Sequence, residues 1–181
     1  MNARLFVALD LPKPIVDALV AWRAPLVREL DALRAVPSAS VHVTLAFLGW
    51  QAEESIVPLA RLVEELTAAG VAGLALGEPL WLPRRRPRVL AVALEDRHGQ
   101  LAALQAQLVE QLVTGGWHEP EARPYLPHVT VARVRGGAAM RTRELTPPPA
   151  LAFDGAAIVL YRSRLSPEGA RYEPLALHRL A

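Results

Sequence analysis

Two short segments carry the same potentially reactive side chains at the same spacing. His42-Val43-Thr44-Leu45-Ala46 and His128-Val129-Thr130-Val131-Ala132 agree at four of five positions, the histidine and the threonine included. With only five histidines in the chain, coincidence is a poor explanation. The Val-rich pattern of both segments reads as strand. In a strand, residues i and i+2 point to one face, so each segment presents one imidazole and one hydroxyl together. Two such segments facing each other across an approximate two-fold would put one histidine on either side of a bound phosphate. Displacement at phosphorus needs a base to take a proton from the attacking group and an acid to protonate the leaving oxygen. A histidine pKa of about 6.5 allows one ring to be neutral and the other charged near neutral pH. The threonine hydroxyls are donors suited to the non-bridging oxygens. Metal ligation by His42 and His128 is the rival chemistry, but neither segment has a third His, Asp or Glu at ligand spacing, so no metal or other cofactor is expected.

The rest of the sequence must supply the strands that hold these groups. Arg4 to Leu11 reads as a buried strand, and Pro12 and Pro14 open a helical stretch from Leu19 to Leu33 with an expected break near Pro25. An extended piece at Arg34 to Pro37 and a turn at Ser38 to Ser40 lead into the strand Val41 to Leu48, ended by Gly49. Apolar residues at helical spacing predict a helix from Glu53 to Ala69, stopped by Gly70. Strands Leu74 to Leu82 and Arg88 to Leu94 flank the turn Pro83-Arg84-Arg85-Arg86-Pro87, and a helix follows over Leu101 to Val113. Tyr125 to Val134 is the second motif strand. Leu151 to Arg162 and Arg171 to His178 form a closing hairpin around Ser166-Pro167-Glu168-Gly169.

Composition narrows the chemistry further. The 181 residues contain no cysteine, which removes disulfides, thiolate metal sites and a cysteine nucleophile. No apolar run is long enough to span a membrane, and the amino terminus enters a strand pattern directly, so a cytoplasmic protein without membrane partners is expected. A formal charge of +2 steers only weakly toward a polyanion. Lys13 is the one lysine; every other basic side chain is arginine, the type suited to bidentate phosphate contact and stacking. The absence of a P-loop or a Gly-rich dinucleotide turn disfavours ATP-dependent ligation.

Longer phrases extend the duplicated motif. Arg4-Leu5-Phe6-Val7-Ala8-Leu9-Asp10-Leu11-Pro12, His42-Val43-Thr44-Leu45-Ala46-Phe47-Leu48-Gly49 and Arg123-Pro124-Tyr125-Leu126-Pro127-His128-Val129-Thr130-Val131-Ala132-Arg133 together resemble the 2H phosphoesterase superfamily, in particular the bacterial RNA 2',3'-cyclic phosphodiesterases or 2'-5' RNA ligases. The resemblance runs nearly end to end. It implies an α+β bilobal fold over residues 1–181, with two antiparallel sheets related by a pseudo-two-fold around a central cleft and helices outside. It also implies hydrolysis of an RNA terminal 2',3'-cyclic phosphate to the 2'-phosphomonoester, without metal or ATP. His42 resembles the proton donor to the departing 3'-oxygen and His128 the proton acceptor that activates water, with Thr44 and Thr130 holding the phosphate. The residues alone would allow the reverse assignment.

Phe47 and Arg133 each lie five positions after a motif histidine, where the family is expected to provide a ring for the terminal base and a guanidinium for the nucleotide. Strict alternation puts an odd offset on the opposite face, so both require a bulge or a strand end to reach the cleft. The expected partner is an RNA end carrying a cyclic phosphate, tRNA fragments included, bound by a monomer. Reversible 2'-5' ligation, another cyclic phosphate substrate and a non-catalytic RNA-end binder are the competing readings. Arg84, Arg85, Arg86 and Arg88 suit either RNA contact beyond the cleaved nucleotide or a solvated turn. His98, His118 and His178 lie outside the motif and are assigned no role.

Overall fold

In the computed structural model, which describes residues 1–66, 70–119, 122–166 and 169–180, nine strands and three α-helices alternate in an α+β order. The strands are β1 (Asn2–Asp10), β2 (Leu33–Ala35), β3 (His42–Ala52), β4 (Leu74–Leu82), β5 (Val89–Asp96), β6 (His128–Val134), β7 (Ala152–Phe153), β8 (Ala157–Ser166) and β9 (Gly169–Arg179). The helices are α1 (Lys13–Glu29), α2 (Ile56–Glu64) and α3 (Gln100–Thr114). All pairings are antiparallel, in the order β7-β4-β5-β6-β3-β1-β8-β9, with β2 on the edge of β6. Two lobes, β3-β1-β8-β9 and β7-β4-β5-β6, therefore meet at the two motif strands. Their hydrogen bonding is continuous through one register pair, Val43 with Val129, where two separate sheets were expected.

The duplicated unit is strand, helix, motif strand: β1-α1-β3 in one half and β5-α3-β6 in the other. Each helix packs across onto the opposite half, α1 against β2 and β6, α3 against β3 as well as β5. Ala3, Leu5, Val7 and Leu9 of β1 are buried on the face toward the core, and Leu101, Leu104, Leu108 and Leu112 of α3 recur at helical spacing to meet the same core. The opposite face of β1, bearing Arg4, Phe6, Ala8 and Asp10, is turned to the cleft.

Several boundaries differ from the sequence expectation. Helix α1 passes through Pro25 without a break and ends at Glu29. Both Pro25 and Ala21, whose carbonyl lacks its usual partner, are exposed, so water can satisfy that oxygen and the penalty of an interior proline is reduced. Leu33, expected to end the helix, instead begins β2, because its neighbours can pair with the edge of β6. Gly49 does not end its strand; at φ +67° it sits within β3, which continues to Ala52. The helix predicted from Glu53 begins as a 3-10 turn and becomes α-helical only at Ile56. Its predicted end at 67–69 and the turn at 167–168 lie outside the described residues. Tyr125, Leu126 and Pro127 precede β6 rather than forming part of it. The turn bearing Arg84, Arg85, Arg86 and Arg88 joins β4 to β5 with all four side chains exposed.

Candidate active site

The antiparallel pairing of Val43 with Val129 fixes the relation between the two motifs. Continued by one residue in each direction, that register sets His42 opposite Thr130 and Thr44 opposite His128, on the same face. Each imidazole thus has the other motif's hydroxyl as its cross-strand neighbour. Both valines are fully buried on the reverse face, so a slip of one residue would drive the polar pairs into the core. The catalytic candidates are positioned by apolar residues between them.

Phe47 and Arg133 reach the same face through a bulge, and the bulge itself is duplicated. In β3, Thr44 pairs with Ala8 and Ala46 with Val7, leaving Leu45 unmatched. In β6, Thr130 pairs with Ala91 and Ala132 with Leu90, leaving Val131 unmatched. Each extra residue reverses the alternation, which brings the odd-offset side chain onto the cleft face. The bulged carbonyls are held from the helices: Arg23 Nη1 of α1 donates to Val131 O at 2.7 Å, and Gln105 Nε2 of α3 donates to Leu45 O at 3.3 Å. The Val36 amide also donates to Val131 O, at 3.0 Å.

The result is a cavity of about 400 Å³ lined by His42, Thr44, Phe47, His128, Thr130 and Arg133, all six of the site residues read from the sequence. That volume lies within the range of small-ligand sites. Arg4, Phe6, Arg34, Ser40, Ser163 and Tyr172 complete much of its wall, and among the described residues no Asp or Glu lines it. Three arginines and two imidazoles facing one cavity make it a place for an anion. Arg84, Arg85, Arg86, Arg88, His98, His118 and His178 do not line it. Among the described residues, no group of three His, Cys, Asp or Glu side chains is arranged to hold a metal ion.

The two histidines differ in their surroundings. The Nδ1 of His128 lies 2.8 Å from the Leu126 carbonyl. A carbonyl only accepts, so Nδ1 carries the hydrogen and the neutral ring keeps its lone pair on Nε2. His42 also bonds to a backbone group two residues back, that of Ser40. It is enclosed by aromatic rings: Phe6 stacks on it at 5.0 Å between centroids, and Tyr172 meets it edge-on at 5.4 Å. Burial pushes the His42 pKa down to about 4; the Ser40 bond opposes this, and the charges of Arg133 and His128 add to it. His42 is therefore neutral in the ligand-free protein at neutral pH. Its register partner Asp10 accepts from Tyr161 Oη at 3.0 and 3.1 Å, and burial raises the Asp10 pKa despite those bonds.

Sequence reasoning missed Arg4, Arg34, Ser163 and Tyr172. Arg4 was legible as part of the opening strand but not as a cleft residue. Its guanidinium lies 4.6 Å from the centre of the Phe47 ring and donates to Ser163 Oγ at 3.2 Å. Arg34 faces the cavity because β2 pairs it with Arg133. Ser163 and Tyr172 come from the last hairpin, where nothing in the local pattern separates a cleft residue from a solvated one.

The chain is similar to known proteins over nearly its whole length. A family model described as the 2'-5' RNA ligase superfamily matches residues 11–166. The RNA 2',3'-cyclic phosphodiesterase of Escherichia coli (strain K12) is 30% identical over 174 residues, covering 95% of this chain and 93% of its own. The RNA 2',3'-cyclic phosphodiesterase of Thermus thermophilus is 32% identical over 187 residues, covering 95% of this chain and 87% of its own. The crystal structure of E. coli LigT complexed with 3'-AMP superposes with a TM-score of 0.79 at 29% identity, covering 100% of this chain and 99% of that one.

Proposed function

The chain belongs to the 2'-5' RNA ligase superfamily, and from that premise we propose that it hydrolyses the 2',3'-cyclic phosphate at the end of an RNA to a 2'-phosphomonoester by acid-base catalysis between His42 and His128. The observation that carries this reading is the pairing of two His-Thr sets about Val43 and Val129 on one face of an arginine-lined cavity. The curated relatives named RNA 2',3'-cyclic phosphodiesterase support the substrate class. The relative bound to 3'-AMP supports a mononucleotide-sized subsite.

In this reading His128, with its lone pair on Nε2, takes a proton from water as the water oxygen attacks phosphorus. The bond to the 3'-oxygen breaks on the opposite side, and His42 delivers a proton to it, leaving phosphate on the 2'-oxygen. Thr44 and Thr130 donate to the non-bridging oxygens as charge builds there. Arg133 holds the nucleotide, and the Phe47 ring stacks on the terminal base.

The donor role requires a charged His42, whereas the free protein holds it neutral. The diester's negative charge, lodged between the imidazoles, counters the charge of Arg133 and draws the proton onto His42. The substrate thus arms its own acid. The protein acts as a monomer in the cytoplasm, on RNA ends that include tRNA fragments. Among the described residues no helix is long and apolar enough to cross a membrane.

The test is turnover of an oligonucleotide ending in 2',3'-cyclic phosphate, with chelator present, by wild type, His42→Ala and His128→Ala. Release of 2'-phosphate by wild type and a loss of about 10²-fold or more in each variant is the expected result. Undiminished turnover by either variant would sink the two-histidine mechanism. Binding without turnover by wild type would leave only an RNA-end binder.

A further inference from the structure

Beyond the cavity, the cleft face of β3 carries one more aromatic ring. Trp50 is 64% exposed, unusual for the largest apolar side chain. Its orientation follows from a second bulge: Phe47 pairs with Phe6 and Gly49 with Leu5, leaving Leu48 unmatched, and the next register pair is Trp50 with Arg4. Directly paired residues share a face. Arg4 lines the cavity, so Trp50 stands on the cleft face beside it, just outside the cavity wall.

Phe47, Arg4 and Trp50 therefore form one platform. The Arg4 guanidinium covers one face of the Phe47 ring at 4.6 Å and is steadied by Ser163 Oγ. Phe47 itself remains 44% exposed. On β1, the register partners of Phe47 and Trp50 are two residues apart, a separation of roughly 7 Å. That is about twice the 3.4 Å spacing of bases stacked in a helix, so neighbouring bases held at these two rings are splayed apart. Splayed bases on aromatic rings, with an arginine beside them, are the usual way a protein holds a single-stranded end.

We infer that Trp50 is a second base subsite, which stacks the base of the nucleotide preceding the cyclic phosphate end while Arg4 faces the phosphodiester that joins the two. The inference rests on the proposed function for the identity of the first nucleotide. It makes the ligand an RNA end of at least two nucleotides, with little demand on the second base's identity, since every base has a face to stack.

The experiment compares three substrates: a ribonucleoside 2',3'-cyclic phosphate, a dinucleotide with the same cyclic end, and that dinucleotide made abasic at its first position. For wild type the intact dinucleotide has a KM roughly tenfold below the abasic one, the effect of one stacked base. In Trp50→Ala that ratio collapses toward one, and Trp50→Phe restores most of it. A wild-type ratio near one, or a ratio unaltered in Trp50→Ala, overturns the inference. Tryptophan fluorescence read with the two dinucleotides separates the two levels of the argument. Quenching by the intact but not the abasic dinucleotide, lost in Trp50→Phe, upholds the subsite even if wild type hydrolyses neither, in which case the proposed function alone fails. Absence of quenching overturns the subsite.

Discussion

The Arg23 guanidinium, buried in α1, donates a 2.7 Å hydrogen bond to the carbonyl of Val131, the unmatched residue whose bulge turns Arg133 toward the cavity. A helix of the first half thereby holds the geometry of a strand in the second. Burial lowers the Arg23 pKa, but an arginine remains charged at any working pH, so this is a charge-assisted bond in a place with little water.

Replacement of Arg23 by Leu removes that bond while the Val36 amide still serves the same carbonyl. A loss of about 1–3 kcal/mol in stability is expected, measured by urea denaturation. Because the bulge positions Arg133, KM rises as well. In an Arg133→Ala background the rise on adding Arg23→Leu is much smaller than in wild type. Equal effects in both backgrounds would reduce Arg23 to a stability role.

His42 links stability to pH. Its folded pKa of about 4 lies below the unfolded value of about 6.5. Between those values the unfolded chain binds the proton and the folded chain does not, so stability is full above pH 6.5 and falls as pH drops toward 4. The contribution is no more than about 3 kcal/mol. Asp10, whose pKa is raised, acts in the opposite sense at the low end of the window. The difference between wild type and His42→Asn across pH 4 to 7 isolates the histidine. A flat difference would show that burial does not suppress its charge.

Phosphate binding should reverse that suppression. In nitrogen-15 spectra of the labelled imidazoles, the His42 titration is expected near pH 4 in the free protein and well above it with a nucleoside 2'-phosphate bound. An unmoved titration would remove the substrate-armed acid and favour the opposite division of roles between the two histidines.

Thr44→Val and Thr130→Val keep the shape and the strand propensity of each site while deleting one donor. Each is expected to lower kcat by about 10²-fold, with a smaller change in KM, because the hydroxyls act most strongly when charge has accumulated on phosphorus oxygens. Stopped-flow single turnovers measure the step directly. Loss confined to KM would make the threonines ground-state binders.

Gly49 takes φ +67°, and a Cβ added there meets nothing within 4 Å. Gly49→Ala therefore has only backbone strain to bear, about 1–2 kcal/mol, read as a lowered urea midpoint. A larger loss would mean that the second bulge reorganises, and with it Phe47 and Trp50.

Local chemistry made much of this protein legible in advance. The paired His-x-Thr segments, the strands that bear them, the long α3 helix and the β4 strand follow from periodicity and turn residues close together in the chain. The same alternation that places His42 with Thr44 also said that Phe47 and Arg133 needed bulges, although it could not say where. Tertiary structure alone decided what depends on partners distant in sequence. Leu45 and Val131 are bulged because the registers of β1 and β5 skip them and because Gln105 and Arg23 hold their carbonyls. Pro25 stays inside a helix because the Ala21 carbonyl that it leaves without a partner belongs to an exposed residue. Arg4, Arg34, Ser163 and Tyr172 join the cleft through strand pairing, and the 3.6- or 2-residue period of one segment carries no information about which strand lies beside it. The two histidines are near-identical in sequence context and become unlike only when Phe6 and Tyr172 close around His42, since desolvation belongs to the packed molecule and to neither motif.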